Sequence, residues 1–516
     1  MALFVKSFSN LYKDSVSLMQ ISAKLSKMPG IRQASVAMAT PANLERMQDV
    51  GMHVDVEAKP NDLLVAVIAD SEDVANQAFA MATEMLSTQK TTAQSESSIN
   101  KVLTSISMGV ETHPEANLAL ISVPGSYAAA EALKALSMGL HVMMFSDNVS
   151  EKDELSIKQY ATAHDLIVMG PDCGTAIING SPLGFANVIA KGNIGVVAAS
   201  GTGLQEVTCR IDALGGGISQ AIGTGGRDLH ESIGGLSMIQ GIKMLGADDQ
   251  TRVITLVSKP PHPSVAEKVL DAACKTGKAV VVHFLGADQA LFKRQGVTVA
   301  QNLAQAAEFS VALSKGEVPS FSEFIDETLV ALVREQCQKL HVSQKDIRGV
   351  FAGGTFCYEA QLALKAAGLE CESNAPIKGG KKLVCNVHGT GNSLIDMGDD
   401  EFTQGRPHPM IDPTLRNERL KTEALDNHTA VVLFDVVLGY GAHLNPAQGV
   451  VEEINSIRLR LQSEGREVLF IAHVCGTQAD IQSRQEQIQI LKNAGVIVAD
   501  SNIQAARLAI MAANRA

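Results

Sequence analysis

Unbroken apolar segments that end in glycine and alternate with helical segments predict a multi-domain α/β protein with parallel sheets. Only a strand covered by helices on both faces reads as a continuous apolar run. A second observation points the same way: a block of motifs in the middle of the chain recurs in its last third. The third is length, because 516 residues exceed what one core holds. The expected architecture is a small N-terminal α/β domain, a Rossmann-like segment and two flavodoxin-like domains.

In chain order, the opening reads as strand "LFVKSF", helix "DSVSLMQISAKLSKM", strand "RQASVAMAT", helix "PANLERMQDVG", strand "DLLVAVIAD" and helix "SEDVANQAFAMATEML". Asp70 and Ser71 supply an N-cap for the last helix. The polar stretch "STQKTTAQSESS" (87–98) reads as a linker and closes a domain over 1–98. From Asn117 come strand "LALISVPG", helix "SYAAAEALKALSMG", strand "HVMMFSD", a helix from Glu151 and strand "LIVMGPDCG", the Rossmann-like segment of 99–190. Residues 191–315 hold "NIGVVAAS", "GISQAIGTGGRD", "RVITLVSKPP", "AVVVHFLG" and "VTVAQNLAQAAEFSVAL", with helices between the strands. A helical linker over 316–344, containing "SEFIDETLVALVREQCQKL", leads to the last domain, 345–516.

The repeat ties the two large domains together. Ser200-Gly201-Thr202-Gly203-Leu204-Gln205-Glu206 matches Gly353-Gly354-Thr355-Phe356-Cys357-Tyr358-Glu359, each after an apolar strand. Strand "KAVVVHFLG" has a counterpart in "REVLFIAHVCG", and "GVTVAQNLAQAA" aligns without a gap on "GVIVADSNIQAA". In "GVVAASGTGLQEV" (195–207), small residues at a strand-to-helix turn expose backbone N–H groups at the positive end of a helix dipole. That is a ready anion site.

Lys plus Arg total 43 against 55 for Asp plus Glu, a net charge of −12, which implies no basic face for nucleic acid or anionic membrane. No apolar run approaches the roughly 18 residues of a membrane span, and "MALFVKSFSNLYKD" has no apolar signal core, so a cytoplasmic, soluble protein is expected. None of the eight cysteines forms a CxxC pair, which fits reduced thiols in strands and helices. Cys173 and Cys475, beside glycine turns, are the two that a pocket could use.

The stretch from "ANLALISVPGSYAAAEALKALSMGLHVMMFSD" through "LIVMGPDCGTAIING" to "GNIGVVAASGTGLQEV" resembles the succinyl-CoA synthetase α subunit. The segment from about 345 is similar to the C-terminal domain of that enzyme's β subunit, and the chain as a whole resembles the FdrA family of such fusions. Two departures stand out. The synthetase carries a phosphorylated histidine in a loop where this chain reads "GADQALFKRQGVTVA", without histidine, and the nearby His283 lies within a predicted strand. No ATP-grasp-sized segment and no GxxxxGK[ST] loop is present. The FdrA resemblance implies instead a subunit of an oxamate carbamoyltransferase of purine (allantoin) breakdown, which converts oxalurate and phosphate to oxamate and carbamoyl phosphate beside a second, different subunit in a hetero-oligomer. On that reading no cofactor is expected, phosphate or carbamoyl phosphate is substrate, and CoA and nucleotide enter only in the alternative of an ADP-forming succinate–CoA ligase-like subunit. A non-catalytic scaffold subunit is the third possibility.

Small anionic substrates direct attention to three places. Ser200, Gly201, Thr202 and Gly203 form the first candidate anion cradle, with Gly354 and Thr355 as its repeat. Arg227 in "GTGGRDL" and Lys259 in "LVSKPPHPS" are expected at the carboxyl edge of the first domain's sheet, where open α/β folds bind ligands. Arg227 is the candidate clamp for phosphate or carboxylate, with an ordinary surface pair to Asp228 as the alternative. The third is the glycine-rich stretch "NVHGTGNSLIDMGDDEFTQGRPHPMIDPTLR" (386–416), where His388 and His408 are candidates for proton transfer or oxyanion donation and Arg406 and Arg416 for anion binding. Asp396, Asp399, Asp400 and Glu401 read as a solvated acidic loop rather than a cation site, and no metal is expected.

Overall fold

The computed structural model describes the chain except residues 1, 10, 12, 14, 41–42, 45–46, 49–50, 55–57, 89–102, 321–325, 385–387, 404–405 and 516. Most of the expected 87–98 linker and Cys385 therefore lie outside the described residues. Two compact units are present: residues 1–105 with 400–412, and residues 106–399 with 413–516.

The first unit is built on an antiparallel sheet in the order Ala2–Phe8, Leu63–Ala69, Ile31–Met38. Its middle strand reads LLVAVIA because both faces are covered. Val65 and Val67 face the helices Ser15–Ser26 and Glu72–Thr88 through Leu18, Leu25, Ala75 and Ala78. Leu64 and Ala66, pointing the other way, pack with Met47 and Met52.

The second unit starts with a parallel sheet of Leu118–Ile121, His141–Met144 and Val168–Met169. The next sheet runs Val297–Val299, Ala279–Phe284, Val253–Ser258, Lys191–Ala199, Ile218–Gly223, Thr175–Ile178, Ser181–Gly184, with the first five strands parallel. The last sheet has Ser393–Asp396, Asp346–Phe351, Thr429–Val437, Leu469–Cys475 and Ile497–Ala499 in the same parallel order, extended at one edge by Glu372–Ser373 and Lys381–Lys382. Both sheets thus have the flavodoxin order 2-1-3-4-5, and each switches direction beside its first strand. One edge hairpin went unassigned in the sequence: Thr175–Gly184 joins the second sheet rather than the preceding segment. Its turn is Asn179-Gly180, both at positive φ, the chemistry of a two-residue hairpin.

Buried polar contacts hold these layers together. Lys158, from the helix Glu151–Ala163, reaches Glu154 Oε1 at 2.8 Å, Asp228 Oδ1 at 2.8 Å and the Thr224 carbonyl at 3.0 Å. Asp228 in turn accepts from Ser237 N and Met238 N, anchoring the helix Leu236–Ala247. Between the two flavodoxin-like domains, Asn187 Nδ2 donates to Asp480 Oδ2 at 2.7 Å and to the Leu438 carbonyl at 3.0 Å. Val188 N donates to Asp480 Oδ1 at 2.8 Å. The same interface carries Glu206 Oε2 against His473 Nε2 at 2.6 Å. Its repeat partner Glu359 accepts instead from Leu303 N at 3.0 Å and Asn502 Nδ2 at 2.9 Å. No helix among the described residues is long and apolar enough to cross a membrane.

Replacing Lys158 with Met leaves Glu154 and Asp228 buried without their cation and is expected to cost about 3–5 kcal/mol in urea unfolding. A loss below about 1 kcal/mol would show that the trio is dispensable. Burial pushes the Glu359 carboxyl up from 4.5 to about 7, against its two N–H donors. The folded chain therefore holds a proton that the unfolded chain releases, and stability falls as pH rises through that window. Glu359→Gln is expected to remove about 3 kcal/mol of this decline, read as the pH dependence of the unfolding free energy.

Candidate functional site

The helices Gly201–Ala213 and Gly354–Ala366 begin at the switch points of their sheets, and their N-termini meet. Ser200 Oγ lies 2.6 Å from Thr355 Oγ1, and Thr355 N donates to Thr202 Oγ1 at 3.3 Å. Ser200, with extended backbone, also caps its own helix by accepting from Gly203 N at 3.2 Å. The glycines of both loops follow from this close approach. A Cβ on Gly203 would stand 2.5 Å from Ser200 Oγ, and one on Gly353 would stand 2.9 Å from Thr202 Cγ2.

The two loops differ in what fills them. Asp435, in the strand Thr429–Val437, accepts from Ala352 N and from Gly353 N, each at 2.7 Å. The turn that leads into the second helix thus holds a carboxyl of its own. Strand registers put Val257 at the corresponding place of the first domain, so no carboxylate faces Ser200 from there. Gly201 N and Thr202 N make no hydrogen bond to any described residue, and Gly201 is exposed. The first loop keeps open donors at a helix N-terminus, the arrangement that binds phosphate or carboxylate oxygens.

A second carboxyl adjoins the pair. Asp396 ends the strand Ser393–Asp396 and is 7% exposed. Its Oδ1 accepts from Gly398 N at 2.9 Å, and its Oδ2 presses on Gly354, where a Cβ would come within 2.4 Å. Burial pushes this carboxyl up to about 7, opposed by the Lys259 ammonium and the Gly398 N–H and reinforced by Asp399 and Asp435. Lys259 is exposed at the edge of the first domain's sheet, 5.7 Å from the centre of the Tyr358 ring. The meeting of the two domains therefore brings together open N–H donors, the hydroxyls of Ser200, Thr202 and Thr355, a cation and a carboxyl poised near neutrality.

Other residues singled out from the sequence fall elsewhere. Arg227 donates to the Val149 carbonyl at 2.7 Å and pairs with Glu154 at 2.9 Å, while its neighbour Asp228 belongs to Lys158. Arg227 therefore holds the helix at Glu151 rather than the Ser200 loop. Arg416 is buried, donates to the Asp435 carbonyl at 2.6 Å and lies over the Phe434 ring. His388 is exposed beside the undescribed residues 385–387. Arg406 and His408 belong to the 400–412 segment of the first unit; Arg406 is exposed, and Met410 N donates to His408 Nδ1 at 3.2 Å. Burial pushes His408 down to about 4. His283 is buried, with Nδ1 against the Ala300 carbonyl at 3.0 Å and burial holding its imidazole at about 4. Asp396 is not part of a solvated acidic loop, because it closes a central strand. Asp435 escaped the sequence reading altogether, although it is the one charge inside the apolar run "AVVLFDVVL".

Comparison with known proteins corrects the expected chemistry. Three family models match: "AllF, heavy metal-associated domain" over residues 1–102, "CoA binding domain" over 190–286 and "CoA-ligase" over 350–512. The chain is 28% identical over 187 residues to the succinate–CoA ligase [ADP-forming] subunit alpha of Aquifex aeolicus, covering 35% of this chain and 60% of that one. It is 25% identical over 227 residues to subunit alpha 1 of the Archaeoglobus fulgidus enzyme, covering 43% and 75%. A carbamoyltransferase assignment is overturned by these matches, which are to domains of acid–thiol ligases. The expectation that no cofactor is used falls with it, since the matched models are those of CoA-binding and CoA-ligase domains. In the sequence no cysteine precedes Cys173, and among the described residues no group of three or more His, Cys, Asp or Glu is arranged around a metal position. The Escherichia coli K12 protein YahF, itself uncharacterized, is 44% identical over 503 residues, 97% of this chain and 96% of that one. The chain therefore belongs to the family of YahF, an FdrA/AllF-like fusion of an AllF-type N-terminal domain with succinyl-CoA-synthetase-like CoA-binding and CoA-ligase domains.

Proposed function

We propose that the chain is an acid–thiol ligase-like protein that handles a small carboxylate, phosphate and CoA, with the anion held at Ser200–Gly203. The observation that carries this is the asymmetry of the two loops: in the second, Asp435 takes the N–H groups of Ala352 and Gly353 and Thr202 Oγ1 takes that of Thr355, while in the first the N–H groups of Gly201 and Thr202 have no described partner. Phosphate or the phosphoryl end of an acyl phosphate fits those donors, with the Ser200 and Thr202 hydroxyls beside them and Lys259 as the near cation. CoA, when bound, supplies the thiol that becomes acylated. In the thioester-forming direction Asp396 takes the thiol proton, its carboxyl being close to half-ionised at neutral pH. Phosphate leaves into the Gly201 and Thr202 N–H groups.

No histidine occurs between Gly286 and Gly296, so on this reading the phosphate reacts at the loop and is not carried on that segment of the chain. Nucleotide, where it is used, is on this reading held by a second, different subunit, because the sequence has neither an ATP-grasp-sized segment nor a GxxxxGK[ST] loop. Arg227, His388, His408 and Arg406 stand outside this mechanism.

The direct test is thioester formation from CoA and succinate, with and without ATP, and its reverse from succinyl-CoA and phosphate, using protein isolated with whatever subunit stays bound. Phosphate-dependent loss of succinyl-CoA is expected; absence of turnover in both directions would overturn the reading. Thr202→Val together with Ser200→Ala is expected to raise the KM for phosphate about tenfold and leave that for CoA unchanged. The rate of thioester formation is expected to rise through a pH of about 7 as Asp396 ionises, and Asp396→Asn to lower it and flatten that limb.

A further inference from the structure

The interface between the two flavodoxin-like domains is used twice, once on each side of their approximate twofold axis, and only one side is packed shut. On the closed side Leu362 covers Gly286, where a Cβ would lie 3.2 Å from Leu362 Cδ2, and Leu285 is fully buried. Glu359 there receives hydrogen bonds on both oxygens from protein N–H groups. On the other side the repeat substitutes Cys209 for Leu362, Arg210 for Ala363 and Cys475 for Leu285. What remains is a cavity of about 280 Å³ lined by Glu206, Cys209, Arg210, His473, Cys475 and Arg484.

The polar groups around this cavity are incompletely matched. Glu206 is buried, and only its Oε2 is bonded, to His473. Burial pushes the Glu206 carboxyl up, but His473, Arg210 and Arg484 together bring it below the usual range, so it stays an acceptor. Arg210 pairs with Glu308 at 2.7 Å, yet its Nε is buried without a partner among the described residues. Arg484 donates from Nε to the Val474 carbonyl at 3.0 Å. No described carboxylate lies within ion-pair distance of it, and neither of its terminal nitrogens bonds a described residue. Asp500 also lines the cavity, and its carbonyl accepts from Arg210 Nη1 at 3.4 Å, while the terminal nitrogens of Arg484 remain the donors there without a described partner. Burial raises the Cys209 thiol, and the contact with Cys209, followed by burial, raises that of Cys475, so both line the cavity as neutral, weakly polar surface.

We propose that this cavity binds a small carboxylate that carries a hydroxyl or ammonium donor, its carboxylate on the terminal nitrogens of Arg484 and its donor on the free oxygen of Glu206. The volume admits a molecule of a few carbons. The site is distinct from the Ser200 loop and stands whether or not that loop binds phosphate. Glu206 lies on the helix that the loop opens, so an occupant here bears on how that helix meets the second domain.

The test uses L-lactate and L-alanine as probes, with propionate, which lacks the donor, and phosphate as controls, in calorimetric titration of the full chain. Saturable binding of lactate or alanine is expected, tighter than propionate. Arg484→Gln is expected to weaken it at least about tenfold and to leave phosphate binding unchanged. Cys209→Leu with Cys475→Leu, which installs the side chains of the closed side, is expected to abolish probe binding without lowering the melting temperature. Failure of the wild-type chain to bind either probe would overturn the proposal, as would binding that survives both variants. Ser200→Ala with Thr202→Val separates the two sites, since it is expected to spare lactate and alanine.

Discussion

A helix N-terminus carries roughly half a positive charge, and this chain brings two of them together where Ser200 meets Thr355. Like ends at that distance repel unless an anion or a set of acceptors stands between them. Asp435 supplies the compensation for one helix, and its position inside a fully buried strand is tolerable because Ala352 N and Gly353 N hold it and Arg416 lies close behind. The other helix is capped by Ser200 alone. The rest of the interface is arranged around this contact: the glycines that let the loops touch, the Thr202–Thr355 bond and the carboxyl of Asp396 behind Gly354.

Breaking of the internal symmetry is what separates the two halves chemically. The domains share strand order, loop position and the glutamate that follows each loop. The side chains facing these shared features differ, as Val257 against Asp435 and Leu285 against Cys475 illustrate. His283 and His473 occupy matching strand positions, but only His473 reaches a glutamate across the interface. Glu359 takes Asn502 and Leu303 N instead, and His283 Nε2 is left without a partner. An interface used twice can therefore be a closed seam on one side and a lined cavity on the other.

Segments 106–190 and 191–315 are joined by the same principle of paired buried charges. Lys158, Glu154 and Asp228 exclude water together, and Arg227 completes the cluster from the surface. An arginine after a glycine turn at a sheet edge has the local signature of an anion clamp, yet its partner lies on a helix distant in sequence. Sequence offers no measure of that distance, which is why Arg227 read as a site residue and Asp435 did not.

From Asn117 on, the sequence alone determined the central strands of the two large domains, their parallel arrangement, the repeat and the placement of the Ser200 and Gly353 loops at strand ends, because these depend on local apolar pattern and on glycine at tight turns. The short hairpin at Asn179-Gly180 was also legible in principle, since its turn residues dictate it. Tertiary structure alone decided that the two loops face one another, that Asp435 fills one of them, that Asp396 is buried rather than solvated, and that His408 belongs to the unit formed with the first 105 residues. Each of these turns on contacts between residues tens to hundreds of positions apart. Burial and charge at such contacts are properties of the packed interface, and no window of sequence contains them.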